Sequence, residues 1–161
     1  MNAPLLVIIN PSSGKSKGIR TWNKIKPLLI KEQIDFESII TTKPKDACLF
    51  TIKYIKTGVR IILVVGGDGT LNEVTNGIMS QKHCPTEDIT LGIIPNGTGN
   101  DFARTMKIPS DIRSLVTIIK KRKQKLIDIG RVIYNNGPIS ENAFFINMMG
   151  FGFDVSVNKL A

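Results

Sequence analysis

The segment Ile61-Ile62-Leu63-Val64-Val65-Gly66-Gly67-Asp68-Gly69-Thr70-Leu71-Asn72-Glu73 constrains this chain more than any other stretch. Its five leading apolar residues read as a buried strand. Three glycines and Asp68 then make a tight turn, and a helical pattern with Leu71, Val74 and Ile78 on one face begins at once. A strand that feeds a glycine-rich turn and opens a helix gathers backbone N–H groups and the positive end of the helix dipole at one point. The segment is expected to hold phosphate.

The rest of the chain repeats that unit. Leu5–Ile9 predicts a first strand and Asn10-Pro11-Ser12-Ser13-Gly14-Lys15-Ser16 a loop. A helix carrying Ile19, Trp22, Ile25 and Leu29 follows, with a kink or break expected at Pro27. Phe36–Thr41 predicts a second strand. Asp46 is expected to cap a helix with Ala47, Phe50 and Tyr54 inward, stopped at Gly58. After the central segment come a polar loop, Gln81–Asp88, and a strand, Ile89–Ile94. A second glycine turn, Pro95-Asn96-Gly97-Thr98-Gly99-Asn100-Asp101, leads to a short helical stretch with Phe102 and Met106. Ser110 is expected to cap a last helix with Ile112, Leu115, Val116 and Ile119 on one face. Four strand–loop–helix units argue for an α/β fold, a parallel sheet with helices on both faces.

Beyond Lys125 the rhythm changes to strands without helices, Ile127–Tyr134 and Ala143–Met149, around the turn Asn135-Asn136-Gly137-Pro138. Residues 1–125 are therefore expected to form one α/β domain, and residues 126–161 the linking strands and start of a β-rich one.

Composition narrows the partners. The net charge is +9, partly concentrated in Lys120-Lys121-Arg122-Lys123-Gln124-Lys125, which suits nucleotides, nucleic acid or an acidic lipid surface, or simply a solvated basic face. No RNP, helix-turn-helix or aromatic–basic stripe favours nucleic acid. The longest apolar run falls far short of the roughly 18 residues of a membrane span. Met1-Asn2-Ala3-Pro4 lacks the pattern of a secretory signal. Cys48 and Cys84 have no metal or redox spacing, which points weakly to a cytoplasmic setting.

The two glycine turns echo each other as Gly-Thr-x-Asn-acid, in Gly69–Glu73 and Gly97–Asp101. In each, the threonine and the acid three residues on fit a capping box. Both turns follow parallel strands, where open α/β sheets bind ligands. Two better-known phosphate loops do not fit. Ile9 stands where a Walker loop ending in Gly14-Lys15-Ser16 needs glycine, and Asn72 breaks the dinucleotide fingerprint begun by Gly67-Asp68-Gly69. Asp68 cannot face a phosphate directly without repulsion. It becomes useful by holding Mg²⁺ or its bound water, or by orienting a hydroxyl, and otherwise it is a turn aspartate. Asn10, Ser12 and Gly14 offer donors to phosphate or ribose. Trp22, Phe50 and Phe102 read as core, and His83 as a loop residue.

Taken together, Asn10-Pro11-x-Ser13-Gly14, Gly66-Gly67-Asp68-Gly69-Thr70-x-Asn72-Glu73 and Pro95-x-Gly97-Thr98-Gly99-Asn100-Asp101-Phe102-Ala103 resemble the diacylglycerol kinase catalytic domain family, which includes sphingosine and ceramide kinases. The Gly-Gly-Asp-Gly-Thr core alone is shared with NAD kinases and 6-phosphofructokinases. The resemblance implies an enzyme that moves the γ-phosphoryl group of ATP to a lipid hydroxyl, with ATP and Mg²⁺ as cofactors and a diacylglycerol-like acceptor. It implies nucleotide contacts from Asn10, Pro11, Ser12, Ser13, Gly14, Thr41, Gly66, Gly67, Asp68, Gly69, Thr70, Leu71, Asn72, Glu73, Asn96, Gly97 and Thr98, with Asp68 as catalytic and Mg²⁺-associated residue. Asp154 matches an acidic position at the entry to the family's second domain. The family's proposed base and further carboxylates fall beyond residue 161, so this chain is expected to be the nucleotide half of the enzyme and incomplete for catalysis alone. A cytoplasmic, peripheral position at the inner membrane surface is expected, with assembly open between monomer and homodimer. Two other readings stay open: a kinase of soluble substrates like NAD kinase, and a nucleotide-binding module without catalysis.

Overall fold

The computed structural model describes residues 5–136 and 139–147. Strands β1 (Leu5–Ile9), β2 (Phe36–Ile40), β3 (Ile61–Gly66) and β4 (Thr90–Pro95) form one parallel sheet in the order β2-β1-β3-β4. The order reverses between β1 and β3, because the chain steps from β1 to one side for β2 and to the other for β3. Ligands of open α/β sheets sit at such a switch point.

The sheet is covered on both faces, which is why its strands read as unbroken apolar runs instead of alternating ones. Leu6 and Ile8 of β1 meet α3 (Asp46–Lys56) and α4 (Asp68–Ser80) through Ala47, Ile55, Leu71, Val74 and Ile78. Leu5, Val7 and Ile9 point the other way, to Trp22, Ile25 and Leu29 of α2 (Gly18–Lys31) and to Leu115 and Val116 of α6 (Ile112–Lys121). Trp22 and Phe102 are core, as the sequence suggests, while Phe50 and Tyr54 pack at the margin and Thr51 and Ile55 take the inward positions of α3. Gly77 lets α3 and α4 touch: a Cβ there would lie 2.7 Å from the Thr51 Cβ.

Several local expectations are corrected. Helix α2 runs through Pro27 unbroken. Pro27 and Asn23, whose carbonyl loses its usual donor, both face solvent, so water can satisfy that carbonyl. The packing of Trp22, Ile25 and Leu29 holds the helix on either side. Asp46 does not cap α3. Its carboxylate turns back to accept from the Thr42 amide and hydroxyl, both at 2.8 Å, and from the Lys43 amide at 3.0 Å. The cap of α6 is Asp111 and not Ser110: its carboxylate accepts from the Ser114 amide at 2.8 Å. The Gln81–Asp88 loop contains a 3₁₀ turn at Thr86–Asp88.

After α6, strands β5 (Gly130–Asn136) and β6 (Ile139–Phe145) pair as an antiparallel hairpin. Both boundaries differ from the sequence expectation. The register pairs Gly130 with Phe145, so Ile127–Ile129 have no strand opposite them, whereas Asn135 and Asn136 belong to the ladder. The Phe145 ring lies over Gly130, where a Cβ would come within 2.1 Å of it. Met149, Asp154 and the remaining stretch to Ala161 lie outside the described residues.

Candidate active site

Three loops leave the carboxyl ends of β1, β3 and β4 and are stapled to one another. Asn10, just past β1, sends its side-chain amide to the Thr70 hydroxyl at 2.8 Å, across the switch point. Its side-chain Oδ1 accepts from the Ser12 amide at 3.0 Å, shaping the loop as an Asx-turn. Asn96, just past β4, donates to the Ser13 hydroxyl at 2.8 Å and the Ser13 carbonyl at 3.1 Å, and accepts from the Thr21 hydroxyl at 2.6 Å. Gly67 and Gly97 are pressed together: a Cβ on Gly97 would lie 2.6 Å from the Gly67 Cα. Gly14 and Gly18 are held as closely, against the backbone carbonyls of Asn96 and Asn10.

The first loop is strained. Gly14, Lys15 and Ser16 in the single turn α1 (Ser13–Ser16) all have left-handed φ values, 58°, 58° and 64°. For residues other than glycine this costs on the order of 1 kcal/mol each. The staples from Asn96 hold the turn in place.

Helix α4 opens the site. The Leu71 amide is the first to bond within it, to the Gly67 carbonyl at 3.0 Å, so the amides before it have no partner in the helix. Gly69 stands in open space, with nothing within 4 Å of where a Cβ would be. A glycine with free space above an open helix start is a place for an anion to approach.

Asp68 is the hub. Its Oδ2 accepts from the Asp101 amide and its Oδ1 from the Phe102 amide, both at 3.1 Å, so it caps helix α5 (Asp101–Thr105) from the neighbouring loop. The Asn147 side chain donates to Oδ1, also at 3.1 Å. Partial burial pushes its pKa up, but the amides of Phe102 and Asp101, the Asn147 side chain and the Asn100 amide together pull it below the ordinary carboxylate value. Asp68 is therefore a stabilised anion. The capping boxes expected at Thr70 and Thr98 are not formed. Thr70 lies inside α4, buried, and receives the Asn10 bond, while Thr98 is exposed in its turn.

The expected residues otherwise fall as follows. Asn10, Pro11, Ser12, Ser13, Gly14, Gly66, Gly67, Asp68, Gly69, Thr70, Asn96, Gly97 and Thr98 gather around the three loops. Thr41 ends beside the first loop but is buried, its amide bonded to the Ile9 carbonyl at 2.9 Å. Leu71 sends its side chain into the core. Asn72 is exposed and Glu73 half-buried further along α4. Sequence reasoning missed Thr21, Gly18 and Asn147. Only Gly18 carries a local signal, a glycine where a helix begins.

Magnesium fits this donor set only in part. No group of three or more His, Cys, Asp and Glu that could hold a metal exists among the described residues. Mg²⁺ bound with a nucleotide, however, takes only one or two carboxylates and completes its shell from phosphates and water. Asp68 meets that share, with Asp101 close by: the Oδ2 atoms of both lie 3.2–3.3 Å from the position of a Cβ on Gly99. No helix among the described residues is long and apolar enough to cross a membrane.

The chain is similar to known proteins. The family described as the diacylglycerol kinase catalytic domain matches residues 4–132. A diacylglycerol kinase of Staphylococcus haemolyticus is 38% identical over 146 residues, 91% of this chain and 41% of that protein. One from Staphylococcus aureus is 34% identical over the same share of this chain and 42% of its own length. The crystal structure of a diacylglycerol kinase from Bacillus anthracis superposes with a TM-score of 0.69 at 32% identity, covering 98% of this chain and 50% of that one. The chain spans about half the length of the relatives it matches.

Proposed function

This chain belongs to the diacylglycerol kinase catalytic domain family, and on that premise we propose that it is the nucleotide-binding half of an ATP-dependent lipid kinase, acting on the hydroxyl of diacylglycerol or a related lipid. The observation that carries the reading is the open N-terminus of α4 at Gly69, walled by loops from β1 and β4 at the switch point of the sheet. In this reading the amides at Gly67–Thr70 take the phosphates, and the loop Asn10–Gly14 takes the rest of the nucleotide. Magnesium, when bound with ATP, supplies the positive charge that neutralises the transferring phosphoryl oxygens. Asp68 would help hold that charge, its carboxylate being stabilised as an anion by the Phe102 and Asp101 amides and by Asn147. The stapled loops keep the γ-phosphate in one position for in-line attack, and positioning of this kind supplies much of the rate in phosphoryl transfer. The +9 net charge supports peripheral docking on an anionic membrane surface, each nearby cation adding about 1 kcal/mol.

Two measurements test the reading. Calorimetry with Mg-ATP should show binding to this chain, and the full-length protein should transfer labelled γ-phosphate to diacylglycerol in mixed micelles. Transfer to NAD instead of lipid would move the protein to the soluble-substrate kinases. Binding without any transfer would leave a nucleotide-binding module, and absence of ATP binding would overturn the reading altogether.

A further inference from the structure

Helix α4 is tied to the β5–β6 hairpin and the residues that follow it at two points. Asn76 makes a paired contact with the β6 backbone: its Nδ2 donates to the Phe144 carbonyl at 2.8 Å and its Oδ1 accepts from the Phe144 amide at 2.9 Å. The same Nδ2 also donates to the Asn72 carbonyl at 2.9 Å, which fixes the side-chain rotamer. The second tie is Asn147, three residues beyond Phe144, donating to Asp68. Eight residues of helix separate Asp68 from Asn76, about 12 Å of rise. Phe144 lies in β6, whereas Asn147 stands two residues past the strand's end, in a bend. The chain leaving β6 therefore meets α4 at two places, one clamp at mid-helix and the other at the helix start.

We propose that Asn76 and Asn147 are positioning residues that couple phosphate binding at the start of α4 to docking of the hairpin. The inference rests on the nucleotide reading of that helix start. A phosphate arriving there brings negative charge beside the Asp68 carboxylate. The Asn147 donor disperses charge from Asp68, so a docked hairpin lowers the repulsion that a phosphate meets. By linkage, a bound phosphate then strengthens the hairpin contact by the same factor. Asn76 acts one step back: it holds Phe144, and thereby sets where Asn147 can reach.

Hydrogen exchange of the β6 amides, measured with and without Mg-ATP, reads the coupling directly. In the native sequence, saturating Mg-ATP should slow exchange at Phe144 and its neighbours by about tenfold, a typical size for coupled sites. Asn147→Ala removes an exposed side chain, leaves the core intact, and should cut that ATP effect to below about twofold, with ATP affinity falling by the same factor. Asn76→Asp should lose the effect at neutral pH, where a carboxylate would face the Phe144 carbonyl. Mg-ATP that binds tightly but leaves β6 exchange unchanged overturns the coupling alone. Mg-ATP that does not bind overturns the nucleotide reading and the coupling with it. An Asn147→Ala protein that keeps the full ATP effect assigns both contacts to packing only.

Discussion

The two glycine turns look like copies in the sequence, yet the folded chain uses them as opposite halves of one contact. The turn after β3 opens α4, a helix of 13 residues, and leaves Gly69 facing free space. The turn after β4 closes on itself: the Asn100 side chain accepts from the Gly97 amide at 2.8 Å and donates to the Gly97 carbonyl at 2.9 Å. Asn100 is left-handed, with φ 54°, and the helix it introduces has five residues. That short helix is capped not by its own turn but by Asp68 of the other one. Asn72, the counterpart of Asn100, is exposed on α4 and makes no such ring. The echo is thus a donor–acceptor pair, one turn offering a carboxylate and the other two amides.

That asymmetry can be broken where it is strongest. Asp68→Ala should remove nucleotide binding and, in the full-length protein, lower phosphoryl transfer by at least about 100-fold, since metal charge and loop position go together. It should also cost about 1–3 kcal/mol of stability, because the Asp101 and Phe102 amides lose their acceptor. Equal effects from Asp101→Ala, measured in the same melts and assays, would refute the division of labour between the turns.

Glycine substitutions separate packing from binding. Gly97→Ala forces a Cβ to 2.6 Å from the Gly67 Cα and should destabilise the fold by about 1–3 kcal/mol in urea titrations. Gly69→Ala meets nothing and lies in a helix, so stability should hold or rise by about 0.5–1 kcal/mol while ATP affinity falls. Unchanged ATP affinity would remove Gly69 from the proposed phosphate site.

Acid should find the same hub. Asp68 lies below the ordinary value of 3.8 for the reasons given above. Asp46 is also held low, chiefly by the Thr42 amide, and Asp111 by the Ser114 amide. A carboxylate with a depressed folded pKa adds stability above its unfolded value and loses it as pH falls through the folded one. Denaturation midpoints should therefore drop on going from pH 5 to below 3.8, and Asp68→Asn should shrink that drop. The smallest effect is expected for Asn100→Gly. It relieves the left-handed strain but gives up the two bonds to Gly97, so the net change should stay within about 1 kcal/mol by thermal melting.

Much of the fold was legible because it rests on local signals. Unbroken runs such as Ile61–Val65 announce strands buried on both faces, and Leu71, Val74 and Ile78 announce the face of α4. The loops that gather at the switch point were legible as well, from glycines placed after strands. The capping partners were not. Asp46, Asp111 and Asp68 each satisfy amides chosen by the path of the chain, and only one of the three, Asp111, takes the nearest helix start. Pro27 does not end α2 for a related reason, since solvent on one side and the sheet on the other let the helix continue without that bond.

The sequence by itself determined the four parallel strand–helix units and where their glycine turns would stand, because burial and turn geometry act over a few residues. Only the tertiary structure decided that Asp68 caps the neighbouring turn's helix and that Asn10 reaches Thr70. It alone decided, too, that Asn76 and Asn147 tie the hairpin to α4. Those contacts join residues 33 to 79 positions apart. Hydrogen-bond direction over such separations depends on how the sheet orders its strands, and no local pattern encodes that.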